Sequence, residues 1–218
     1  MSTDSKVKKP QTQTHASWHK RLFAYMMSKN SSQYNEMVKE RKRTLLGSLR
    51  GNILEIGAGT GPNLAFYAAD VQWLGIEPNP AMHPYLQKEA DRLGVKIEIR
   101  SGKGESLEVP DGTMDAVVTT LVLCSVHDPF KTLQEVLRVL KPGGQFVFIE
   151  HVAAARGTRL RRFQSFIRPL WRPFADGCYP DRETWTSIEN AGFSQVNIEH
   201  FRIDSPIIGP HIAGLAVK

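Results

Sequence analysis

Three glycines, Gly57, Gly59 and Gly61, lie between the apolar run Asn52–Ile56 and Pro62, and an acid, Glu77, ends the next apolar run, Trp73–Ile76. Glycine has no Cβ, so such a loop turns sharply and lets the backbone approach a ligand without obstruction. An acid about 20 residues further on, at the carboxyl end of a strand, suits the two hydroxyls of a ribose. Strand, glycine loop, helix and a second strand ending on an acid therefore point to an adenosine-containing cofactor.

The spacing narrows the choice. A dinucleotide loop reads G-x-G-x-x-G and aims a helix amino terminus at a pyrophosphate. Here the pattern is G-x-G-x-G, with Pro62 next in line. Glu55, two residues before the first glycine, would repel a pyrophosphate but helps hold an ammonium or a sulfonium. S-adenosylmethionine (SAM) carries both cations and no phosphate. Ligands of an open α/β sheet bind outside the carboxyl ends of the strands. That edge is marked by Gly57, Ala58 and Gly59, by Glu77 and Pro78, by Gly104-Glu105-Ser106 after the third strand and by Thr120-Leu121 closing the fourth.

Glu55-Ile-Gly-Ala-Gly-Thr-Gly61 resembles the first motif of class I SAM-dependent methyltransferases, Glu77 their ribose-binding acid, and Leu140-Lys-Pro-Gly-Gly144 their turn before an apolar strand. A closer resemblance, through most of residues 34 to 218, is to the methyltransferase-like seven family, microsomal enzymes that methylate small alkyl thiols. It is carried by Asn63-Leu-Ala-Phe-Tyr67, Glu77-Pro-Asn-Pro80, Thr120-Leu-Val-Leu-Cys-Ser-Val126, Glu150-His-Val-Ala-Ala154, Asp176-Gly-Cys178, Pro210-His-Ile212 and Ala216-Val-Lys218. The resemblance implies a Rossmann-like fold: a mostly parallel seven-stranded sheet, helices on both faces and an antiparallel carboxy-terminal hairpin. It implies SAM as donor and S-adenosylhomocysteine as product. It also assigns Glu105 and Ser106 to the adenine, with a surface turn as their alternative reading; Thr120 and Leu121, closing the fourth strand, are expected near the methionine moiety or the methyl group.

Methyl transfer is an in-line displacement, so alignment and exclusion of water are the enzyme's main tasks. No metal is required and none is expected. A thiol is partly ionised near neutrality and needs at most a modest base. His151 follows the fifth strand directly, at the edge that faces the acceptor. It reads either as that base or as a structural hydrogen-bonding group. Asp176 reads as orienting His151 or the acceptor, or as stabilising a turn. His211 reads as structural and His127 as a rim residue. Cys124 and Cys178 are too far apart in sequence for a C-x-x-C motif, and read as free thiols with structural or pocket-lining roles.

The 218 residues, 41% apolar, suit one domain with a core of its own. Residues 1–50 hold eleven Lys and Arg against Asp4, Glu36 and Glu40. The rest has seventeen basic and nineteen acidic residues, so the net charge of +6 belongs to the amino-terminal segment. A near-neutral core argues against nucleic-acid binding. No run approaches the ~18 apolar residues of a span, and there is no signal-peptide core. The family named above begins with a hydrophobic anchor that this sequence lacks, so a soluble, cytoplasmic chain with at most a peripheral membrane contact is expected.

Residues 1–16 are polar and aperiodic and read as disordered. Helical patterns over 17–29 and 33–49 suggest a lid, 17–50, over the cofactor mouth. In the methyltransferase domain, 51–218, strands are expected near 52–57, 72–77, 96–100, 114–120, 145–151, 195–203 and 211–217. Helices are expected near 62–69, 80–93, 129–140 and 181–191. The insertion 152–180 mixes Arg156, Arg159, Arg161, Arg162, Arg168 and Arg172 with Phe163, Phe166, Ile167, Leu170, Trp171 and Phe174. It reads as a solvated face, as a lid gripping an apolar acceptor, or as a surface for an anionic membrane. The leading function is methylation of a small hydrophobic acceptor, favoured an alkyl thiol. The alternatives are a membrane-surface phosphatidylethanolamine N-methyltransferase and a non-catalytic SAM-binding module. The oligomeric state is left open.

Overall fold

Strands that read as unbroken apolar runs must be covered on both faces. The computed structural model describes residues 17–218, so the disorder expected over 1–16 lies outside the described residues. In chain order the elements are α1 (Trp18–Leu46), β1 (Asn52–Ile56), β2 (Gln72–Ile76), α2 (His83–Leu93), β3 (Glu98–Arg100), β4 (Met114–Thr120), α3 (Pro129–Val139), β5 (Leu140–His151), α4 (Arg159–Phe174), α5 (Thr184–Glu189), β6 (Gln195–Arg202) and β7 (Pro210–Val217). They form one seven-stranded sheet in the order β3-β2-β1-β4-β5-β7-β6. The first five strands run parallel, whereas β7 pairs antiparallel with both β5 and β6. The strand order reverses between β1 and β4, which opens a crevice at their carboxyl ends.

Alternate strand residues fill the two faces. Leu54, Val117, Phe146 and Phe148 pack with Leu133 and Val136 of α3 and Ile188 of α5. Ile53, Ala116, Val118 and Val147 pack with Leu46 of α1 and Leu86 and Ala90 of α2. Truncating a buried phenylalanine such as Phe148 would cost about 3–5 kcal/mol.

Two local expectations are corrected. The two amino-terminal helical segments are one helix, α1. Asn30, Ser31 and Ser32 are weak helix formers, but with no Gly or Pro among them nothing breaks the hydrogen-bond ladder. From Val38 onward α1 packs into the core, against Ile149 and Ala213. The helix expected over 62–69 is a single 3-10 turn, Leu64–Phe66, because Asn63 and Tyr67 turn their side chains inward to Glu55. The insertion holds a helix, α4, capped by the Thr158 side chain, which accepts from the Arg161 amide. By contrast α3 starts where its sequence indicates, with the Asp128 carboxylate accepting from the Lys131 amide.

Candidate functional site

The glycine loop leaves β1 with φ of +67°, +56° and +84° at Gly57, Gly59 and Gly61. A Cβ at Gly57 would lie 2.5 Å from Cγ2 of Val122, so this position needs glycine for space as well as for conformation. Glu77 follows β2 directly. Its Oε2 accepts from the Gly59 amide at 2.9 Å and its Oε1 from the Asn79 amide at 2.8 Å. Each oxygen keeps a lone pair for a further donor. Burial pushes the Glu77 carboxyl up to about 7, against the pull of those two amides.

These residues line a cavity of about 550 Å³. Nine of the ten residues expected to hold the cofactor are on its wall: Glu55, Gly57, Ala58, Gly59, Glu77, Pro78, Glu105, Thr120 and Leu121. Ser106 is not. Its amide turns back to the Lys103 carbonyl at 3.2 Å, in a one-residue bridge beneath the loop. Glu105 is fixed instead by the amides of His127 and Asp128, at 2.8 and 3.4 Å. Leu121, at φ +58°, is an unusual left-handed leucine. The Glu150 carboxylate beneath it accepts from the amides of Val122 and Leu123, which fixes the turn.

Glu55 was expected to hold a cation of the ligand. Three neutral donors already converge on it: Asn63 Nδ2 at 2.8 Å, Tyr67 hydroxyl at 2.7 Å and Trp73 Nε1 at 3.1 Å. Burial raises its pKa, while those bonds and the Lys42 charge lower it. Lys42 is itself fully buried and on the cavity wall, and donates to Asn35 Oδ1 at 2.6 Å. Burial brings it down to about 8. Asn63 uses its amide nitrogen on Glu55 and Thr120, leaving its buried Oδ1 without a partner among the described residues.

The amino-terminal helix was expected over the cofactor mouth, but sequence reasoning did not name the side chains it puts on the wall, including Lys20, Phe23, Met27, Tyr34 and Lys42. The Tyr34 hydroxyl is buried and has no partner among the described residues, and burial raises its pKa well above the usual tyrosine value. His127 and Asp176 lie on the wall; His151 does not. The expectation that His151 faces the acceptor is therefore corrected. His151 is 3% exposed, its Nε2 lies 2.9 Å from Cys178 Sγ, and no hydrogen bond joins it to Asp176 among the described residues. It pairs with His211 at the end of the β5–β7 ladder, their rings 6.3 Å apart.

Outside the cavity, α4 exposes Phe166 (78%), Leu170 (70%) and Phe174 (82%), and the start of α1 exposes Trp18, Leu22, Tyr25 and Met26. The arginines of the insertion divide. Arg156 and Arg161 pair with Glu183 and Arg168 with Asp181, while Arg172 stacks on Tyr179. No helix among the described residues is long and apolar enough to cross a membrane.

The site fits SAM by its own chemistry. Glu77 has acceptor capacity for two ribose hydroxyls, the glycine loop leaves room for a ligand, and the unpartnered Asn63 Oδ1 and the buried Lys42 ammonium suit the two ends of an amino acid. Residues 54–148 match the family model described as a methyltransferase domain. The fold is shared with a SAM-dependent methyltransferase from Aquifex aeolicus, at a TM-score of 0.62 and 18% identity over 90% of this chain and 97% of that one. The phosphatidylethanolamine N-methyltransferase of Cereibacter sphaeroides is 29% identical over 56% of this chain and 62% of its own length. Human thiol S-methyltransferase TMT1B is 39% identical over 91% of this chain and 87% of its own length. The chain is a SAM-dependent methyltransferase with a class I, Rossmann-like fold, and it belongs to the family that includes human TMT1B.

Proposed function

We propose that the chain methylates a small hydrophobic thiol. Bound SAM supplies a methyl group on a sulfonium, which leaves as S-adenosylhomocysteine when a nucleophile displaces it in line. The observation that carries the thiol reading is the 39% identity to a thiol S-methyltransferase along 91% of the chain. The cavity supports it: around Phe23, Met27, Tyr34, Leu121, Val122 and Ile208 the wall is apolar and suited to an alkyl chain.

Each wall residue then has a task. Gly57, Ala58 and Gly59 give the adenosine close access to backbone, and Glu77 holds the ribose beside Pro78. Glu105 stands at the adenine, with Ser106 supporting the turn from behind. Asn63 Oδ1 accepts from the methionine ammonium and Lys42 pairs with its carboxylate, while Glu55 keeps both of these residues in place. Thr120 and Leu121 border the methyl group. Asp176, across from Lys20, orients the acceptor. The Tyr34 hydroxyl stays protonated and is a hydrogen-bond donor there, not a base. A thiol as acidic as a cysteine side chain, with a pKa near 8.5, supplies some thiolate by its own ionisation, and His151 is off the cavity wall, so the reaction proceeds without it as a base. The amino-terminal half of α1 and helix α4 close over the mouth as a lid.

The exposed faces of α1 and α4 add a location. Phe166, Leu170 and Phe174, with the unpaired Arg159 and Arg162 beside them, suit an anionic membrane surface, where hydrophobic acceptors concentrate. An acceptor panel with methyl-labelled SAM tests the reading: alkyl thiols, phosphatidylethanolamine liposomes and quinol precursors. Label in the thioether supports it, and label in the lipid amine alone overturns it in favour of phospholipid methylation.

A further inference from the structure

Cys124, His151 and Cys178 come from three separate elements, namely the turn after β4, the end of β5 and the turn after α4. Their donor atoms nevertheless all lie within 4.8 Å of one another, and all three residues are buried. Bonds to backbone carbonyls hold the three segments together. The Tyr179 amide donates to the Cys124 carbonyl at 2.9 Å, and Arg182 donates to the carbonyls of Leu123 and Val126, each at 2.7 Å. Trp171 Nε1 donates to Cys178 Sγ at 3.2 Å, the kind of outer hydrogen bond that orients a thiolate ligand. Ser125 Oγ lies 3.6 Å from Cys124 Sγ and Ser125 also lines the cavity, so an oxygen stands beside the trio for a fourth position.

We propose that Cys124, His151 and Cys178 form a binding site for a soft, tetrahedrally coordinated divalent cation, with Zn²⁺ as the probe. Two thiolates and an imidazole are the donor set that such an ion prefers over harder cations. Zinc–sulfur bonds of about 2.3 Å and zinc–nitrogen bonds of about 2.0–2.1 Å put tetrahedral ligand atoms roughly 3.3–3.8 Å apart. His151 Nε2 and Cys178 Sγ, now 2.9 Å apart, would have to open by several tenths of an ångström, and the other separations are at most 4.8 Å. Binding releases the two thiol protons to solvent and links both sulfurs and the imidazole to one ion. The ion thereby fastens the turn after α4, which carries Ala175 and Asp176 on the cavity wall, to the carboxyl ends of β4 and β5. This role goes beyond methyl transfer and does not depend on which acceptor is methylated.

The test uses the full chain without an affinity tag, reduced, stripped with chelator and titrated with Co²⁺ and then Zn²⁺. The expected result is one Co²⁺ per chain with thiolate-to-cobalt charge-transfer absorption and the intense visible bands of a tetrahedral ion, both displaced by one equivalent of Zn²⁺. Cys124→Ser and Cys178→Ser should each lose the charge-transfer intensity in step with the missing sulfur. S-adenosylhomocysteine binding to each variant reports whether it has folded. In the unmutated chain, Zn²⁺ should protect both cysteines from alkylation, as read by mass spectrometry, which keeps the test independent of the variants. Absence of charge transfer in the reduced wild-type chain, unprotected thiols, or spectra unchanged in both folded variants would each overturn the site.

Discussion

The Gly59 amide donates to Oε2 of Glu77 at 2.9 Å, so the glycine loop and the acid that ends β2 are joined directly as well as through the β1–β2 pairing. The loop is thus held in place by the same carboxylate that it helps to present. Replacing Glu77 with Ala removes the acceptor proposed for the ribose hydroxyls and frees two backbone amides. We expect S-adenosylhomocysteine affinity to fall by on the order of 1.5–3 kcal/mol. Calorimetry on Glu77→Ala, with Glu77→Gln as the milder change, measures this. Unchanged affinity in both would remove Glu77 from the ribose site.

The raised pKa of Glu77 gives two pH trends of opposite sign. With a value of about 7 in the free chain, the carboxylate is mostly protonated at pH 6 and mostly ionised at pH 8. If the ionised form binds, S-adenosylhomocysteine affinity should rise about tenfold over that interval. Stability of the ligand-free chain runs the other way. Because the folded pKa lies above the ordinary 4.5, the contribution of Glu77 is complete below about 4.5 and is lost as pH rises through 7. Glu55, also raised by burial, adds in the same sense. Calorimetry and thermal unfolding at matched ionic strength measure the two trends, and affinity that falls from pH 6 to 8 would contradict the first.

Gly57 and Gly59 should differ although both have positive φ. An alanine at either position pays roughly 1–2 kcal/mol for left-handed backbone. At Gly57 the new Cβ also meets Val122 at 2.5 Å, whereas at Gly59 the nearest atom is 3.9 Å away. Thermal unfolding should therefore show Gly57→Ala well below Gly59→Ala in stability, and equal values would mean that the contact with Val122 relaxes freely.

The glycine loop, Glu77 and the run of strands were legible because their causes are local. Backbone sterics demand glycine at Gly57, unbroken apolar runs demand a sheet covered on both faces, and Asp128-Pro129 begins α3 as its chemistry dictates. What was missed depends on convergence from far apart in the chain. Tyr34 and Lys42 reach the cavity because α1 packs across the sheet, which no spacing reveals. Glu55 was read as a cation binder, but Asn63, Tyr67 and Trp73 turn inward to satisfy it, and in doing so they replace the expected helix with one 3-10 turn. His151 was aimed at the acceptor from its place at a strand end. Its side-chain direction was fixed instead by β7 and by Cys178, 27 positions further on.

The exposed face of α4 should be dispensable for folding and needed for lipid contact. Phe166, Leu170 and Phe174 are among the most exposed large apolar residues described, so replacing all three with Ser should change stability little. Sedimentation with anionic vesicles should fall several-fold in that variant. In the wild type it should weaken as salt screens Arg159 and Arg162. Equal sedimentation of the two proteins would place membrane contact elsewhere or exclude it.

The central claim is methyl transfer from SAM to the sulfur of a small hydrophobic thiol. It is tested most directly by incubating the purified chain with methyl-labelled SAM and an alkyl thiol, then quantifying the labelled thioether and S-adenosylhomocysteine together. The account expects the two products in equal amounts, formed at a rate that rises with pH as the thiol ionises and that survives in His151→Gln. Bound SAM with no thioether above the enzyme-free control, across a series of alkyl and aryl thiols, would contradict it.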